Sequence, residues 1–256
     1  MNKLLLLSLI IVLLFSSASA QDQNEEKPEK INVLVFSKTA GFRHNSISSG
    51  IKMISELGQK ENWIVSCTEN SNLFTTEFLN QMDVVVFLNP TQDVLDDKQQ
   101  KAFEKFIKSG KGFVGIHAAT DCEYDWAWYG ELTGAYFRTH PPAQEGTVII
   151  ENTDHPAMKP FAGMATYITF DEWYSFKANP RDNENIHVLA SLDENSIKNV
   201  KNDSWKMGDH PLIWYQEYER TRSFYTVFGH TPESFEDENV QKHIAAAINW
   251  AARRID

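Results

Sequence analysis

A regular alternation of apolar strand-like segments and amphipathic helices between residues 31 and 116 constrains the fold most strongly. Short apolar segments indicate buried strands over residues 31–37, 63–68, 83–88 and 111–116. The clearest intervening helix covers 96–109, with Phe103 and Phe106 on one face and Gly110 just after its end. Strand–helix–strand units of this length join parallel strands by right-handed crossovers. The pattern predicts an α/β fold with a mostly parallel central sheet and helices on both faces.

The second half of the chain is less regular and predicts further strands over residues 147–151, 186–191, 213–217 and 223–228. Thr221-Arg222 lies between the last two segments, where we expect a hairpin-like turn. A final helix is predicted over 238–252. No Pro-, Gly- or Ser-rich linker divides the chain, so residues 31–256 are predicted to form one domain.

The first twenty residues have the features of a cleavable export signal. Lys3 precedes twelve uncharged residues at 4–15, all apolar except Ser8, and Ala18-Ser19-Ala20 supplies the small residues that precede a cleavage site. A membrane-spanning helix, the alternative, needs about 20 apolar residues. We therefore expect a signal peptide over 1–20, a flexible leader over 21–30 and a periplasmic or secreted location, with no membrane span after cleavage.

The charge of the chain argues against nucleic acid as a partner. The formal net charge is −11, and loss of Lys3 with the signal peptide leaves 23 basic against 35 acidic residues, or −12. Such a chain repels phosphate backbones and anionic membranes, so a neutral small molecule or a cation is favoured as the partner. Cys67 and Cys122 are too few for a disulfide framework, and we expect two free thiols, buried or half-buried.

Candidate functional residues follow several of the predicted strands. His44 comes after the first strand, His117 after the fourth and His230 after the last, while Glu172 follows a short segment at 167–170. Ligands of open parallel sheets bind outside the carboxyl ends of the strands, where these side chains would meet. We therefore predict these four residues as the central catalytic group. The supporting residues predicted to bind substrate are Arg43, Asp171 and His140.

The segment around His117 has the form of a nucleophile elbow. Gly115 and Ala119 are small residues on either side of a side chain that would stand at a strand-to-helix turn. The central residue here is histidine, and Cys122 lies too far along the chain to stand at the tip. A cysteine-nucleophile amidase is therefore disfavoured.

An aromatic-rich segment at residues 121–140 has two interpretations. Aromatic side chains bury a large apolar area, so the whole segment could be core packing. Alternatively, they form flat faces that stack against a sugar, with an arginine available for its hydroxyl groups. The residues assigned to this binding surface, together with one tryptophan from a later segment, are Trp126, Trp128, Tyr129, Arg138 and Trp173.

Histidine together with carboxylate admits two chemistries, and the sequence leaves both open. His44, His117 and His230 could bind Zn²⁺ or a similar divalent metal, which would polarise a ketone. In the metal-free alternative, one histidine or Glu172 removes a proton next to a carbonyl and another group donates to the oxyanion. No nucleotide cofactor is expected.

Several motifs occur in order along nearly the whole of residues 31–256: 38–44 (KTAGFRH), 112–120 (GFVGIHAAT), 134–140 (GAYFRTH), 155–156 (HP), 171–174 (DEWY), 211–215 (PLIWY), 229–230 (GH) and 249–251 (NWA). In these motifs the chain resembles the trehalose-utilisation (ThuA-like) family of the class I glutamine-amidotransferase-like superfamily. The resemblance implies a flavodoxin-like sheet, with His117 where amidotransferases carry cysteine and His230 near their catalytic histidine. It also implies disaccharide breakdown through 3-keto sugars, with a sugar oxidoreductase as the pathway partner.

The resulting prediction is an exported carbohydrate-processing enzyme that acts on a keto-sugar or oxidised glycoside. Removal of a proton next to a carbonyl is the first step shared by isomerisation, epimerisation and β-elimination. Two other classes remain open. One is a non-catalytic sugar-binding protein whose histidines only hydrogen-bond the sugar, and the other is a metal-dependent hydrolase in which metal-bound water replaces the missing cysteine.

Overall fold

A computed structural model of the protein describes residues 30–256. Its α-helices are α1 (Ile47–Glu61), α2 (Thr76–Leu79), α3 (Asp97–Lys108), α4 (Ala127–Thr133) and α5 (Glu238–Ala251). Its strands are β1 (Ile31–Phe36), β2 (Trp63–Thr68), β3 (Val84–Leu88), β4 (Gly112–Ile116), β5 (Phe137–Thr139), β6 (Gln144–Ile150), β7 (Thr166–Asp171), β8 (Ser175–Phe176), β9 (His187–Asp193), β10 (Pro211–Tyr218) and β11 (Thr221–Thr226). The predicted signal peptide over 1–20 and all but the last residue of the predicted leader over 21–30 lie outside the described residues. Within residues 30–256, no helix has the length and apolar character that crossing a membrane requires.

A mixed sheet of nine strands, in the order β2-β1-β3-β4-β11-β10-β9-β6-β7, forms the centre of the described chain. β1 pairs in parallel with β2 and β3, and β4 pairs in parallel with β3 and β11. These five strands have the 2-1-3-4-5 order of flavodoxin-like folds. The remaining strands extend the sheet by antiparallel pairings.

The alternation of side chains along the buried strands divides the core into two layers. On β1, Val33 and Val35 pack in one apolar cluster with α1 and α5, whereas Leu34 and Phe36 pack in another with α3 and α4. A strand that serves two layers must be apolar at every position, because successive side chains point to opposite faces. This explains the continuous apolar runs in the sequence. Helices therefore cover both faces of the sheet, and the predicted α/β, flavodoxin-like fold class is confirmed.

The antiparallel half of the sheet curves back towards the parallel half. β7 lies four strands from β11, which in a flat sheet would separate the two strands by about 19 Å. Yet the carboxylate of Asp171, the last residue of β7, accepts hydrogen bonds of 3.0 Å from the backbone N–H groups of Gly229 and His230, just after β11. The curvature brings the end of β7 to the carboxyl ends of the parallel strands.

The turn between β10 and β11 differs from the prediction. The expected turn residues, Thr221-Arg222, belong to β11, and the turn consists of Glu219 and Arg220. Glu219 has a positive φ of 54°, as two-residue hairpin turns favour. The strand begins early because the Thr221 hydroxyl donates a 2.8 Å hydrogen bond to the carbonyl of Lys111, the residue before β4.

Both cysteines are free thiols. Cys122 is fully buried, and burial raises the pKa of its thiol well above the usual value. Cys67 is exposed, contrary to expectation: it lies near the end of β2, the edge strand of the sheet, with its thiol beside Ser55 of α1.

Candidate functional site

Four side chains from distant parts of the sequence meet at the carboxyl ends of the strands. His44 lies in the loop after β1, His117 directly follows β4, His230 lies in the loop after β11, and Glu172 directly follows β7. One potential ligand atom from each residue lies within 4.8 Å of those of the other three. The structure thus brings together the four residues predicted as the central group, where ligands of open parallel sheets bind. We refer to these four residues as the histidine–glutamate cluster; their chemical roles remain predictions.

The three imidazole rings of the cluster face one another at steep angles. The planes of His44 and His117 are inclined by 89° with ring centres 4.9 Å apart, and those of His44 and His230 by 87° at 5.1 Å. His44 Nδ1, His117 Nε2 and His230 Nδ1 are buried and make no hydrogen bond to any described residue. Three nitrogen atoms without a hydrogen-bond partner therefore surround one small volume.

The carboxylate of Glu172 completes the cluster. Its Oε2 lies 3.1 Å from His230 Nδ1 and 3.5 Å from His117 Nε2, and its Oε1 lies 2.9 Å from His140 Nδ1. Burial alone would raise the pKa of Glu172, but the imidazoles of His117, His140 and His230 outweigh burial and hold this pKa well below its usual range. Glu172 is therefore an anion at any physiological pH.

The surroundings of His44 and His117 determine the charge of the first ring and the position of one proton on the second. Burial, assisted by the neighbouring His117 and His230, lowers the pKa of His44 to about 3, so its ring is neutral near pH 7. His117 Nδ1 lies 2.8 Å from the carbonyl oxygen of Val227 and carries the proton there. The other ring nitrogen of His117, Nε2, faces Glu172. A backbone carbonyl on the far nitrogen is the usual support of a metal-binding histidine.

The elbow predicted around His117 is present. His117 has a positive φ of 48°, an uncommon and strained conformation for a residue with a side chain. Gly115 is small for a physical reason, because a Cβ there would lie only 3.1 Å from the Cβ of Ala119. The hydroxyl of Tyr225 donates a 2.9 Å hydrogen bond to the carbonyl of His117 and holds the turn in place.

A cavity of about 310 Å³ adjoins the cluster. This volume is at the small end of the range of about 300–1,000 Å³ that is typical of ligand pockets. His140, predicted to bind substrate, lies on its wall; burial alone would lower the pKa of this ring, but Glu172 raises it overall. The other lining residues outside the cluster are Phe42, Asp121, Phe137 and Tyr174.

Asp171, predicted to bind substrate, lies beneath the cavity instead of in its wall. Its side chain is fully buried, and it accepts hydrogen bonds from the backbone of Gly229 and His230 and from the Ser234 hydroxyl, the last at 2.6 Å. With its oxygens occupied by these donors, Asp171 cannot contact a substrate. It fixes the loop that carries His230 against the neighbouring Glu172.

The two arginines predicted to bind substrate also lie away from the cavity. Arg43 forms an exposed ion pair with Glu69, with 2.7 Å between Nη2 and Oε1. Glu69 follows β2, so this guanidinium points along the adjacent loop and not towards Asp171 or Glu172. Arg138 donates to the backbone carbonyl groups of Trp205 and Lys206 at 3.2 and 3.3 Å and fastens that loop instead.

The four aromatic residues predicted to stack against sugar belong to the core: Trp126, Trp128, Tyr129 and Trp173. Tyr129 and Trp173 are fully buried, and the two remaining tryptophans stack on each other and pack against Phe103 of α3. The core interpretation therefore holds for these four side chains. The aromatic side chains that do line the cavity are Phe42, Phe137 and Tyr174.

Asn89, absent from the predicted site residues, connects three of the loops that form the cluster. Its amide nitrogen donates to the Ser46 hydroxyl at 3.1 Å and to the carbonyl of Gly229 at 2.9 Å, and its amide oxygen accepts from the backbone of Ala118 at 3.3 Å. One feature of the sequence could have indicated this role. Asn89-Pro90 ends a buried strand, at the same edge of the sheet where the neighbouring strands are followed by site residues.

The donor atoms of the cluster suit a divalent transition metal. Adjacent ligands of a tetrahedral zinc ion lie about 3.3 Å apart, given bonds of about 2.0–2.1 Å. The separations of 3.1 and 3.5 Å between Glu172 and two of the histidines are close to this value. Imidazole and carboxylate ligands are suited to zinc and to several other first-row metals.

The sequence model of the family described as ThuA, trehalose utilisation, matches residues 32–251 of the chain. A search of curated proteins finds no match.

Among solved structures, a ThuA-like protein from Bacteroides uniformis shares 24% identity with a TM-score of 0.74, covering 90% of this chain and 94% of that one. A ThuA-like protein from Parabacteroides merdae shares 18% identity with a TM-score of 0.69, covering 88% and 90%. The glutaminase domain of the Trypanosoma brucei CTPS, with bound acivicin, shares 8% identity with a TM-score of 0.52, covering 85% and 93%. At these identities the similarity concerns the fold, which is amidotransferase-like.

Proposed function

Because the chain belongs to the trehalose-utilisation (ThuA) family, which is carbohydrate-related, we propose that it is a metal-dependent carbohydrate-processing enzyme. Its substrate is a keto-sugar or an oxidised glycoside. Its reaction begins with removal of a proton next to the carbonyl, as in an isomerase, epimerase or lyase. The N-terminal pattern supports an exported, periplasmic or secreted enzyme. The expected pathway partner is a sugar oxidoreductase that supplies the ketone.

One observation carries this proposal: three buried imidazole nitrogens without hydrogen bonds surround a buried carboxylate. Buried polar atoms in folded proteins nearly always have a partner, because an unsatisfied atom costs roughly 1–3 kcal/mol. A divalent cation held by His44, His117, His230 and Glu172 would give all three nitrogens a partner at once. When bound, such an ion supplies a Lewis acid that polarises a carbonyl oxygen.

The cavity beside the cluster supports a sugar as the substrate. Its volume of about 310 Å³ is enough for a single sugar ring. The exposed Phe42 and the half-buried Phe137 offer apolar faces for the C–H surface of the ring. His140 and Asp121 offer polar groups for its hydroxyls. The net charge of −11 is also compatible with a neutral substrate.

The test uses metal-depleted protein that is reloaded with Zn²⁺ and incubated in D₂O with the methyl glycoside of 3-keto-glucose. Proton NMR follows exchange of deuterium into the carbons next to the ketone, together with any new product. We expect exchange or elimination with loaded protein and none after chelation. Cleavage without exchange would instead indicate a metal-dependent hydrolase, and binding without turnover a sugar-binding protein. Either result contradicts the proposal.

Variants of the cluster test the metal site separately. His44→Ala and Glu172→Gln should each weaken zinc binding at least about tenfold, measured by isothermal titration calorimetry, and abolish exchange. The matched control is His187→Ala, because His187 is an exposed histidine on β9 that stacks on Tyr215. Zinc affinity that is unchanged in His44→Ala would show that this cluster does not hold the metal.

A further inference from the structure

The proposed function, on which this inference rests, requires a group that accepts a proton from the substrate. With a metal bound, the four cluster residues would be its ligands and would not be free for this task. The base must therefore come from the remaining titratable groups that line the cavity, which are Asp121, His140 and Tyr174.

Two of these three groups already hold a proton where they face the site. Tyr174 is buried against the rings of His117 and Phe137, each with its centre 4.2 Å away, and a phenol holds its proton near neutral pH. His140 Nδ1 lies 2.9 Å from Glu172 Oε1 and 2.8 Å from the carbonyl oxygen of Pro141. Both neighbours are acceptors, so this nitrogen carries a proton and the ring donates to Glu172.

Asp121 has the geometry of a proton acceptor. It directly follows the short 3₁₀ turn His117–Thr120, which places it on the cavity wall at the opposite end of that turn from His117. Its Oδ1 accepts a 2.6 Å hydrogen bond from the Tyr124 hydroxyl. No hydrogen bond from residues 30–256 occupies its other oxygen. One oxygen is thus anchored and the other is free for a substrate.

The residues around Asp121 fix the orientation of its side chain, and burial makes its carboxylate more basic. The Tyr124 hydroxyl also lies 3.2 Å from the carbonyl of Phe137, and the ammonium of Lys177 lies 3.9 Å from the centre of the Tyr124 ring. Burial raises the pKa of Asp121, although the titratable groups that face it (Tyr124, His117, His140 and Lys177) act in the opposite direction. A carboxylate with a raised pKa is a better base near neutral pH.

We propose that Asp121 is the catalytic base. Its free oxygen takes the proton from the substrate carbon next to the ketone. The electron pair of the broken C–H bond forms a carbon–carbon double bond, and the carbonyl π electrons move to the oxygen, which faces the histidine–glutamate cluster. Protonated Asp121 then returns the proton to that carbon, or protonates a group that the enolate expels from the next carbon. Neither outcome consumes an oxidant or a reductant.

The test compares Asp121→Asn with Asp125→Asn, which removes an exposed carboxylate four residues along the same loop. Zinc-loaded protein is incubated with the methyl glycoside of 3-keto-glucose in D₂O, and exchange is followed by proton NMR. We expect Asp121→Asn to slow exchange at least about 100-fold. Its zinc affinity and the absorption spectrum of its Co²⁺ form should match those of the parent. Asp125→Asn should match the parent in all three measurements.

A second variant gives a readout that a structural role would not produce. Tyr124→Phe removes a hydrogen bond that lowers the pKa of Asp121. The acidic limb of the pH profile for exchange should therefore move to higher pH, because the base is then protonated at a higher pH. A loss of rate without this movement would indicate that Tyr124 and Asp121 only support the fold.

The outcomes separate this assignment from the proposed function. Exchange that persists in Asp121→Asn, while the parent is active, overturns the role of Asp121 and leaves the proposed function intact. Loss of zinc binding together with exchange in Asp121→Asn also overturns it. A parent protein that catalyses no exchange contradicts the proposed function and, with it, the need for a base.

Discussion

At the scale of single residues, Asn89 shows how a side chain outside the cavity organises the site. Its amide group contacts a residue close to each cluster histidine: Ser46, Ala118 and Gly229. Its backbone φ of 51° lies in the left-handed region, which asparagine tolerates better than most residues. Three loops therefore share one buried hub, and the spacing of the three imidazoles depends on it.

Replacing this hub should affect metal binding and stability together. Asn89→Ala leaves the backbone N–H of Ala118 without a buried partner, and the Gly229 carbonyl keeps only the Ser46 hydroxyl as a side-chain donor. This loss should cost about 2 kcal/mol. The melting temperature should fall by about 4–8 °C, and zinc should bind at least about tenfold more weakly. Differential scanning calorimetry and zinc titration measure the two effects.

The control for this prediction is Asn80→Ala, because Asn80 is exposed at the end of α2. Zinc affinity that is unchanged in Asn89→Ala would show that the three loops hold their positions without the amide.

The cluster could be predicted because each of its histidines follows a strand, and the strands of a parallel sheet end side by side. Contacts that depend on the direction of a side chain could not be predicted from the sequence. Arg43 is one residue from a cluster histidine, yet it pairs with Glu69, and Asp171 adjoins Glu172 but turns inwards. Neither hydrophobic period nor residue type shows which way such a side chain points.

At the scale of elements, the same contrast separates the two halves of the sheet. Strands buried on both faces leave a continuous apolar signal, and their boundaries were predictable to within one residue for β1 and β4. The edge strand β7 is misleading, because two of its three exposed side chains, Ile168 at 61% and Phe170 at 52%, are apolar. Its pattern therefore gives neither the register nor the face that packs against the core.

Two buried histidines lie where helix α5 packs against the 3₁₀ turn Pro156–Phe161: His243 is on the helix, and His155 precedes the turn and contacts Trp250 of the helix. His243 Nδ1 lies 2.8 Å from the carbonyl oxygen of Ala157, and His155 Nδ1 accepts a 3.2 Å hydrogen bond from the N–H of the same residue. Burial lowers the pKa of His243 to about 4. Burial, together with His243 and Arg222, lowers that of His155 to about 3. Both rings are therefore neutral in the folded protein near pH 7.

This contact should make the protein sensitive to acid. An unfolded histidine has a pKa of about 6.5, so between about pH 6.5 and 4 the unfolded chain binds more protons than the folded one. The free energy of unfolding is therefore highest above pH 6.5 and falls as the pH is lowered. At pH 5 each buried histidine should have reduced it by about 1–2 kcal/mol. His243→Asn keeps a donor for Ala157 and removes the titration, so urea unfolding at pH 7 and 5 should show a smaller loss.

His187→Asn, at an exposed histidine, should leave the pH dependence as it is in the parent. An equal pH dependence in His243→Asn and the parent would mean that His243 does not resist protonation in the folded state.

At the scale of the whole molecule, the N-terminal pattern predicts a mature chain that begins at Gln21. Small residues at positions 18 and 20 are what a signal peptidase requires, so Ala20→Lys should block cleavage. Intact-mass measurement of protein exported from a bacterial host checks both statements. Full-length parent protein in the cytoplasm would contradict them, and would make the predicted periplasmic or secreted location wrong.

The last strand of the chain, β11, occupies the interior of the sheet between β4 and β10. It pairs with β4 across 110 residues of sequence, as in the pair Val114 and Phe224. Loops of that length are costly to close, and folding slows as contacts become more distant in sequence. Until residues 221–226 leave the ribosome, β4 and β10 each present an unpaired edge, and such edges invite association with other chains. Folding is therefore completed from the C-terminal end, and a nascent chain that stalls before β11 is the form most exposed to aggregation.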